Sequence, residues 1–237
     1  MNAVILDIEG TTTPISFVTG TLFPYARRHL REYLERSAQT TSWPALVDDF
    51  RREHDVDRRE DKTVPAWIEG DDRRSIEAYV CWLMDRDRKS PALKTLQGHI
   101  WEDGYRSGEL VSEVFPDVPG AFERWQRAGV PVGIYSSGST LAQQWLFRCS
   151  PAGDLTRFLR WHFDTGVGSK REAASYARIA AAIGAPAAEI LFVSDVVAEL
   201  DAARAAGMRT ALVVRPGNPA QPAGHGHEIV TSFDKLP

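Results

Sequence analysis

The chain has 237 residues, of which 43% are apolar, with a formal net charge of −4 and a sequence pI near 5.9. That length and apolar content bury one sizeable core and leave chain for a smaller second unit. The acidic balance, with basic residues interspersed among acids, excludes a general nucleic-acid binder.

No apolar stretch reaches the length needed to cross a bilayer, and the first residues carry neither a basic start nor a small-residue cleavage site. The expectation is a cytoplasmic protein with no membrane partner. Cys81 and Cys149 lie far apart without a CxxC or Cys/His ligand spacing, so two buried thiols are expected rather than a disulfide or a zinc site.

Ala3-Val4-Ile5-Leu6 reads as a buried strand that runs directly into Asp7-Ile8-Glu9-Gly10-Thr11-Thr12-Thr13, placing two acids at a strand end followed by a turn. Leu22 to Arg36 sets Leu22, Ala26, Leu30, Tyr33 and Leu34 on one helical face, and Pro44 to Phe50 begins another helix. Arg51 to Lys62 and Asp71 to Arg74 alternate in charge sign and read as solvated surface. Ser75 is the expected cap of a helix with Ile76, Val80 and Leu83 inward, and Pro91 opens a helix carrying Leu93, Leu96 and Ile100.

Strands then alternate with helices. Pro119 to Ala128 is a helix stopped by Gly129, and Val130 to Tyr135 is a strand ending in Ser136-Ser137-Gly138-Ser139. Thr140 to Cys149 is helical, Phe158 to Asp164 extended, and Gly166 to Lys170 a loop before the helix Arg171 to Ile183, which Gly184 ends. Ile190 to Val193 is a buried-type strand finishing on Ser194-Asp195, and Gly207 closes the helix after it. Thr210 to Val214 gives another strand, Arg215 to Gly226 a Pro/Gly loop whose His225 and His227 are expected to be exposed, and Ile229-Val230 a short edge.

This order predicts an α/β fold, a Rossmann-like doubly wound parallel sheet over 1–17 and 111–237, interrupted by a helical insertion over 18–110. In such sheets the chemistry gathers at the carboxyl ends of strands. Asp7 and Glu9 alternate along extended chain and so point to the same side. Their repulsion is tolerable with a hard cation between them, and Asp195 supplies a third oxygen from another strand end. Beside Mg²⁺, Asp7 can attack phosphorus, with Glu9 as the proton donor and acceptor. Ser136, the amides around Ser137-Gly138 and the Lys170 ammonium suit phosphoryl oxygens.

Asp-x-Glu-Gly-Thr, Ser-Ser-Gly, Lys and Ser-Asp, in that order, resemble the four motifs of the haloacid dehalogenase-like phosphatases. Asp7 through Val18, Leu22-Phe23-Pro24-Tyr25-Ala26, Tyr135 through Ser139, and Phe163 through Lys170 are similar to the acireductone synthase family, the enolase-phosphatases of methionine salvage. Glu9 is discriminating, because most relatives in the wider superfamily carry Asp there.

The resemblance implies an enzyme with one Mg²⁺ per subunit that enolises 2,3-diketo-5-methylthiopentyl-1-phosphate and then removes its phosphate. Asp7, Glu9 and Asp195 would hold the metal, and Ser136, Ser137 and Lys170 would contact substrate. Whether Glu9 uses its carboxyl or its backbone carbonyl on the metal stays open, as does the enolisation base. The insertion would be a cap, with Trp67, Trp82 and Trp101 as candidates for its apolar wall or its core. Glu199 reads equally as an aid to Lys170 or as a solvated helix acid. The alternative activity is hydrolysis of another small phosphate ester without enolisation. The expected partner is that small molecule alone, and nothing demands more than a monomer.

Overall fold

A computed structural model describes residues 1–237. The first half of the chain forms β1 (Ala3–Leu6), α1 (Ile15–Phe17), a π-helical turn Val18–Leu22, α2 (Phe23–Ser37), α3 (Trp43–Glu60), α4 (Asp72–Asp85) and α5 (Pro91–Ser107). The second half alternates α6 (Asp117–Arg127), β2 (Val132–Tyr135), α7 (Thr140–Arg148), β3 (Leu159–Phe163) and α8 (Ala173–Ile183). It finishes with β4 (Ile190–Ser194), α9 (Val197–Ala205), β5 (Arg209–Val213) and β6 (Glu228–Val230). Two compact units result, Met1–Thr21 with Tyr105–Pro237, and Leu22–Gly104.

The strands pair in the order β3-β2-β1-β4-β5-β6, all parallel. β1 and β4 are buried along their whole length, as continuous apolar runs require in a sheet covered on both faces. In register, Leu6 lies between Ile134 and Val193. The chain steps outward from β1 through β2 to β3, then returns to the other side of β1 for β4, so a crevice opens past the carboxyl ends of β1 and β4. Beneath it, Ile5, Phe192 and Leu212 pack with Tyr176, Ile179, Leu200 and Ala203. Each large side chain buried there contributes roughly 1.5–3 kcal/mol, and the alanines of α8 and α9 let helix and sheet approach closely.

In the helical unit, α2 buries Tyr25, Ala26, Leu30 and Leu34, and α4 buries Ile76, Tyr79, Val80 and Leu83. Several sequence expectations change here. Asp71, not Ser75, caps α4 by accepting from the Arg74 amide, while Ser75 lies inside the helix with its hydroxyl on the Asp71 carbonyl at 2.7 Å. The charged stretch after Phe50 continues α3, and two of its polar residues are buried: His54 against the Pro65 carbonyl, and Asp57 accepting from the Tyr79 hydroxyl at 2.7 Å. The indole N–H groups of Trp67, Trp82 and Trp101 are spent on Asp72, Thr63 and the Leu22 carbonyl. Both cysteines are only partly buried. In the sheet unit, His227 is buried rather than exposed, held between Thr210 Oγ1 at 2.8 Å and Asp201 Oδ1 at 3.1 Å.

The end of the chain is tied to α6. Asp117 Oδ2 accepts from Arg215 Nη1 at 2.8 Å, Ser232 Oγ at 3.0 Å and the Phe233 amide at 2.6 Å, while Trp125 Nε1 donates to the Pro237 carbonyl at 2.7 Å. Burial works to raise the Asp117 pKa, but the Arg215 guanidinium and the Phe233 amide outweigh it and hold the carboxyl below its ordinary 3.8.

Asp117 therefore stabilises the fold above pH about 4, and that contribution disappears as pH falls through its lower folded value. Asp117→Asn is expected to be less stable than wild type at pH 7, with the gap in urea unfolding narrowing below pH about 4. A Cβ added to Gly104 would meet the Tyr25 ring at 2.6 Å, whereas one on Gly120 in α6 meets nothing. Gly104→Ala should lower stability by about 1–3 kcal/mol before any gain in helix propensity, and Gly120→Ala should raise it by about 0.5–1 kcal/mol, both readable by urea unfolding.

Candidate active site

At the end of β1 the Asp7 amide donates to the Val193 carbonyl at 3.0 Å, which carries the ladder one residue past the strand. The chain then closes on itself. The amides of Thr11, Thr12 and Thr13 all donate to the Ile8 carbonyl, at 3.1, 2.9 and 2.9 Å, and the Thr12 hydroxyl donates to the Asp7 carbonyl at 3.2 Å. Gly10 makes the turn possible at φ +72°, a left-handed conformation that side chains other than glycine's resist. Asp7 is 4% exposed, and its Oδ1 accepts from the Ile8 amide at 2.8 Å and from Lys170 Nζ at 2.6 Å.

The adjacent strand β4 delivers Ser194 and Asp195. The Asp195 amide donates to Thr11 Oγ1 at 3.1 Å, tying the two strand ends together. Asp195 lies so close to Gly10 that a Cβ there would fall 2.6 Å from its carboxyl carbon, a second reason for glycine. One helical turn on, Glu199 Oε2 accepts from Lys170 Nζ at 2.7 Å and from the Ser194 hydroxyl at 3.0 Å. Lys170 is itself placed by two buried tyrosines: the Tyr176 hydroxyl donates to its carbonyl at 2.8 Å, and the Tyr135 hydroxyl to the Gly168 carbonyl at 3.0 Å.

At the end of β2, on the other side of β1, the Ser136 amide donates to the Phe163 carbonyl, and Ser136 Oγ accepts from the Gly138 amide at 3.2 Å. The buried Gln143 braces this loop, its Nε2 donating to the carbonyls of Gly138 at 3.1 Å and Phe163 at 2.8 Å. Ser139 caps α7 through the Ala142 amide.

Of the residues singled out in the sequence, Asp7 and Lys170 are in direct contact, and Asp195 abuts the turn that follows Glu9. Ser136 stands at the neighbouring strand end, Ser137 is exposed, and Glu9 is partly exposed where Asp7 and Asp195 are buried. Glu199 joins the cluster as Lys170's second acid. Its spacing four residues after Asp195 was the only signal, and a solvated helix acid would show the same spacing.

Acids outnumber the one ammonium here. Burial, then Asp7, then Glu9 push Asp195 up to about 7. Burial and Asp7 likewise raise Glu199 to about 7 even though Lys170 opposes the shift. Burial works against the charge on Lys170, but Asp7 and Glu199 outweigh it and raise its pKa. Asp195 Oδ1 is buried with no hydrogen-bond partner. A buried carboxylate oxygen without a donor, in a site with surplus negative charge, fits a hard cation. No three His, Cys, Asp or Glu side chains form a preformed metal cluster.

Gly10→Ala should destabilise the fold beyond the cost of its backbone alone. Gly108 has a similar φ of +78° with open space around it, so Gly108→Ala is expected to cost about 1 kcal/mol and Gly10→Ala a further 1–3 kcal/mol or so from the clash with Asp195, measured by urea unfolding.

A family model described as haloacid dehalogenase-like hydrolase matches residues 1–207. The chain is 48% identical over 236 residues to enolase-phosphatase E1 of Synechococcus elongatus, covering 100% of this chain and 98% of that protein. It is 46% identical over 233 residues to enolase-phosphatase E1 of Pseudomonas aeruginosa, covering 98% and 96%. Among solved structures, the UTR4 protein of Saccharomyces cerevisiae superimposes with a TM-score of 0.79 at 35% identity, covering 99% of each chain. CbbY of Rhodobacter sphaeroides, with a TM-score of 0.59 at 17% identity, shares the fold. The chain thus belongs to the haloacid dehalogenase-like hydrolases and, within them, to the enolase-phosphatase E1 family.

Proposed function

We propose that this protein is an acireductone synthase, which converts 2,3-diketo-5-methylthiopentyl-1-phosphate to an acireductone and phosphate. In this reading 1–17 and 111–237 form the catalytic core and 18–110 its cap, and the enzyme works as a monomer in the cytoplasm. The observation that carries the reading is Asp7, held at the end of the central strand by Lys170, in a chain 48% identical over its whole length to an enolase-phosphatase.

Asp7 is the nucleophile. Its Oδ1 is engaged by the Ile8 amide and Lys170, which aims Oδ2 at the incoming phosphorus. The Oδ2–P bond forms as the P–O ester bond breaks, and the leaving oxygen takes a proton from Glu9. Water then attacks the aspartyl phosphate, gives its proton back to Glu9 and frees phosphate and Asp7. Glu9 suits proton exchange because it is partly exposed, beside the buried Asp7 and Asp195. The Lys170 ammonium, the Ser136 hydroxyl and the backbone at Ser137 supply donors to the phosphoryl oxygens.

Asp7, Asp195 and the backbone carbonyl or carboxyl of Glu9 would hold Mg²⁺, which when bound offsets the charge of substrate and acids and steadies an enolate oxygen. Removal of the substrate proton in the enolase step falls to Glu9, with Lys170 favouring the developing negative charge.

The test is an assay of purified protein with Mg²⁺ and the diketo phosphate. Enol-type ultraviolet absorbance should rise, with release of phosphate. Phosphate release without that absorbance at any stage would instead make the protein a phosphatase for another ester. Asp7→Asn is expected to cut phosphate release on the order of 10³-fold or more while sparing enolisation, and unimpaired release in that variant would place the nucleophile elsewhere.

A further inference from the structure

The turn that follows Glu9 is gripped by a loop outside all four strand-end motifs. Beyond β5, Asn218 Nδ2 donates to the Gly10 carbonyl at 2.9 Å, and Arg215 Nε donates to the Thr11 carbonyl at 3.1 Å. Gly10 is then fixed at both ends, since its own amide donates to the Thr13 carbonyl at 2.8 Å. Thr11 passes the restraint on, because its Oγ1 receives the Asp195 amide.

Arg215 is built to hold position. It is 6% exposed, lies 4.4 Å from the ring centre of Phe115 and 4.7 Å from that of Phe233, and carries Asp117 on Nη1 at 2.8 Å. Its planar fork reaches the Asp117 carboxylate and the Thr11 carbonyl together, which a lysine ammonium does not reproduce. Asn218, by contrast, sits half-buried on the loop surface, with no place among the apolar core residues.

We propose that Asn218 and Arg215 are positioning residues for the reaction. They fix the Gly10–Thr11 turn, and through it the placement of Glu9 and Asp195 relative to Asp7. The inference rests on the proposed function for the assay and for the roles of those acids.

The two residues differ in what else they hold, and this separates positioning from mere support. Asn218→Ala deletes one part-buried hydrogen bond together with a buried Oδ1 that has no partner of its own, so the thermal midpoint should fall by no more than about 5 °C from wild type. If the turn loosens, kcat should fall about 10-fold or more with KM within about threefold, because displacement of catalytic groups by less than an ångström suffices. Arg215→Lys keeps the charge opposite Asp117 and should lower both kcat and stability.

The experiment measures kcat, KM and thermal midpoint for wild type, Asn218→Ala and Arg215→Lys with Mg²⁺ and the diketo phosphate. A folded Asn218→Ala enzyme with kcat within twofold of wild type overturns the proposal, whatever Arg215→Lys does. If wild type is inactive on the diketo phosphate, the functional reading fails separately, and the same comparison is made on para-nitrophenyl phosphate, where the expected and overturning results are unchanged.

Discussion

Lys170 reconciles charges that the fold could not otherwise hold side by side. Asp7 and Glu199 both end within 2.7 Å of its ammonium, in a place where little water reaches either carboxyl. Without that cation the carboxyl ends of β1 and β4 would carry adjacent desolvated anions, and burial would favour protonation over charge. The rest of the sheet unit can be understood as support for this bridge. Tyr135 and Tyr176 orient the loop that delivers the lysine, Ser194 steadies Glu199, and the small residue at position 10 lets Asp195 come close. Even so the balance is incomplete, since Asp195 retains an unsatisfied oxygen. A strand end that keeps more acids than its own cation can match is organised for charge that arrives with ligands.

The strands were legible because buried parallel strands show as unbroken apolar runs, and β1 and β4 each stop on polar residues at the point where the sheet opens. Asp7, Glu9 and Asp195 stood out for the same reason, each just past a strand end, while Lys170 stood out in the loop before α8. Residues whose meaning depends on distant chain were not legible. Arg215 and Asn218 act on backbone carbonyls 204 and 208 positions away, and no pattern within a Pro/Gly loop announces a carbonyl acceptor. Glu199 is a helix acid until the lysine is seen beside it. His227 looked like a solvated loop residue, yet Thr210 and Asp201 satisfy both ring nitrogens and so allow burial.

The helical unit shows the same division. Its inward faces follow from the spacing of Leu30 and Leu34 or of Ile76, Val80 and Leu83. The cap of α4 was misplaced because Asp71 and Ser75 are both good capping types. Backbone conformation decides between them: Asp71, at φ −134° and ψ 76°, is outside the helix, and Ser75 is within it. Charged sequence also concealed burial, for Asp57 enters the interior of α3 and α4 only because the Tyr79 hydroxyl and Arg88 meet it there.

The central place of β1 also bears on how the chain assembles during synthesis. β1 needs β2 and β4, whose residues begin at Val132 and Ile190, so it finds its neighbours only after much of the following chain has been made. Leu22–Gly104, in contrast, is one uninterrupted stretch that is complete before either partner strand has been made. Translation thus releases a self-contained helical piece while four exposed apolar residues wait, an interval in which nascent Ala3–Leu6 is open to mispairing and to chaperones.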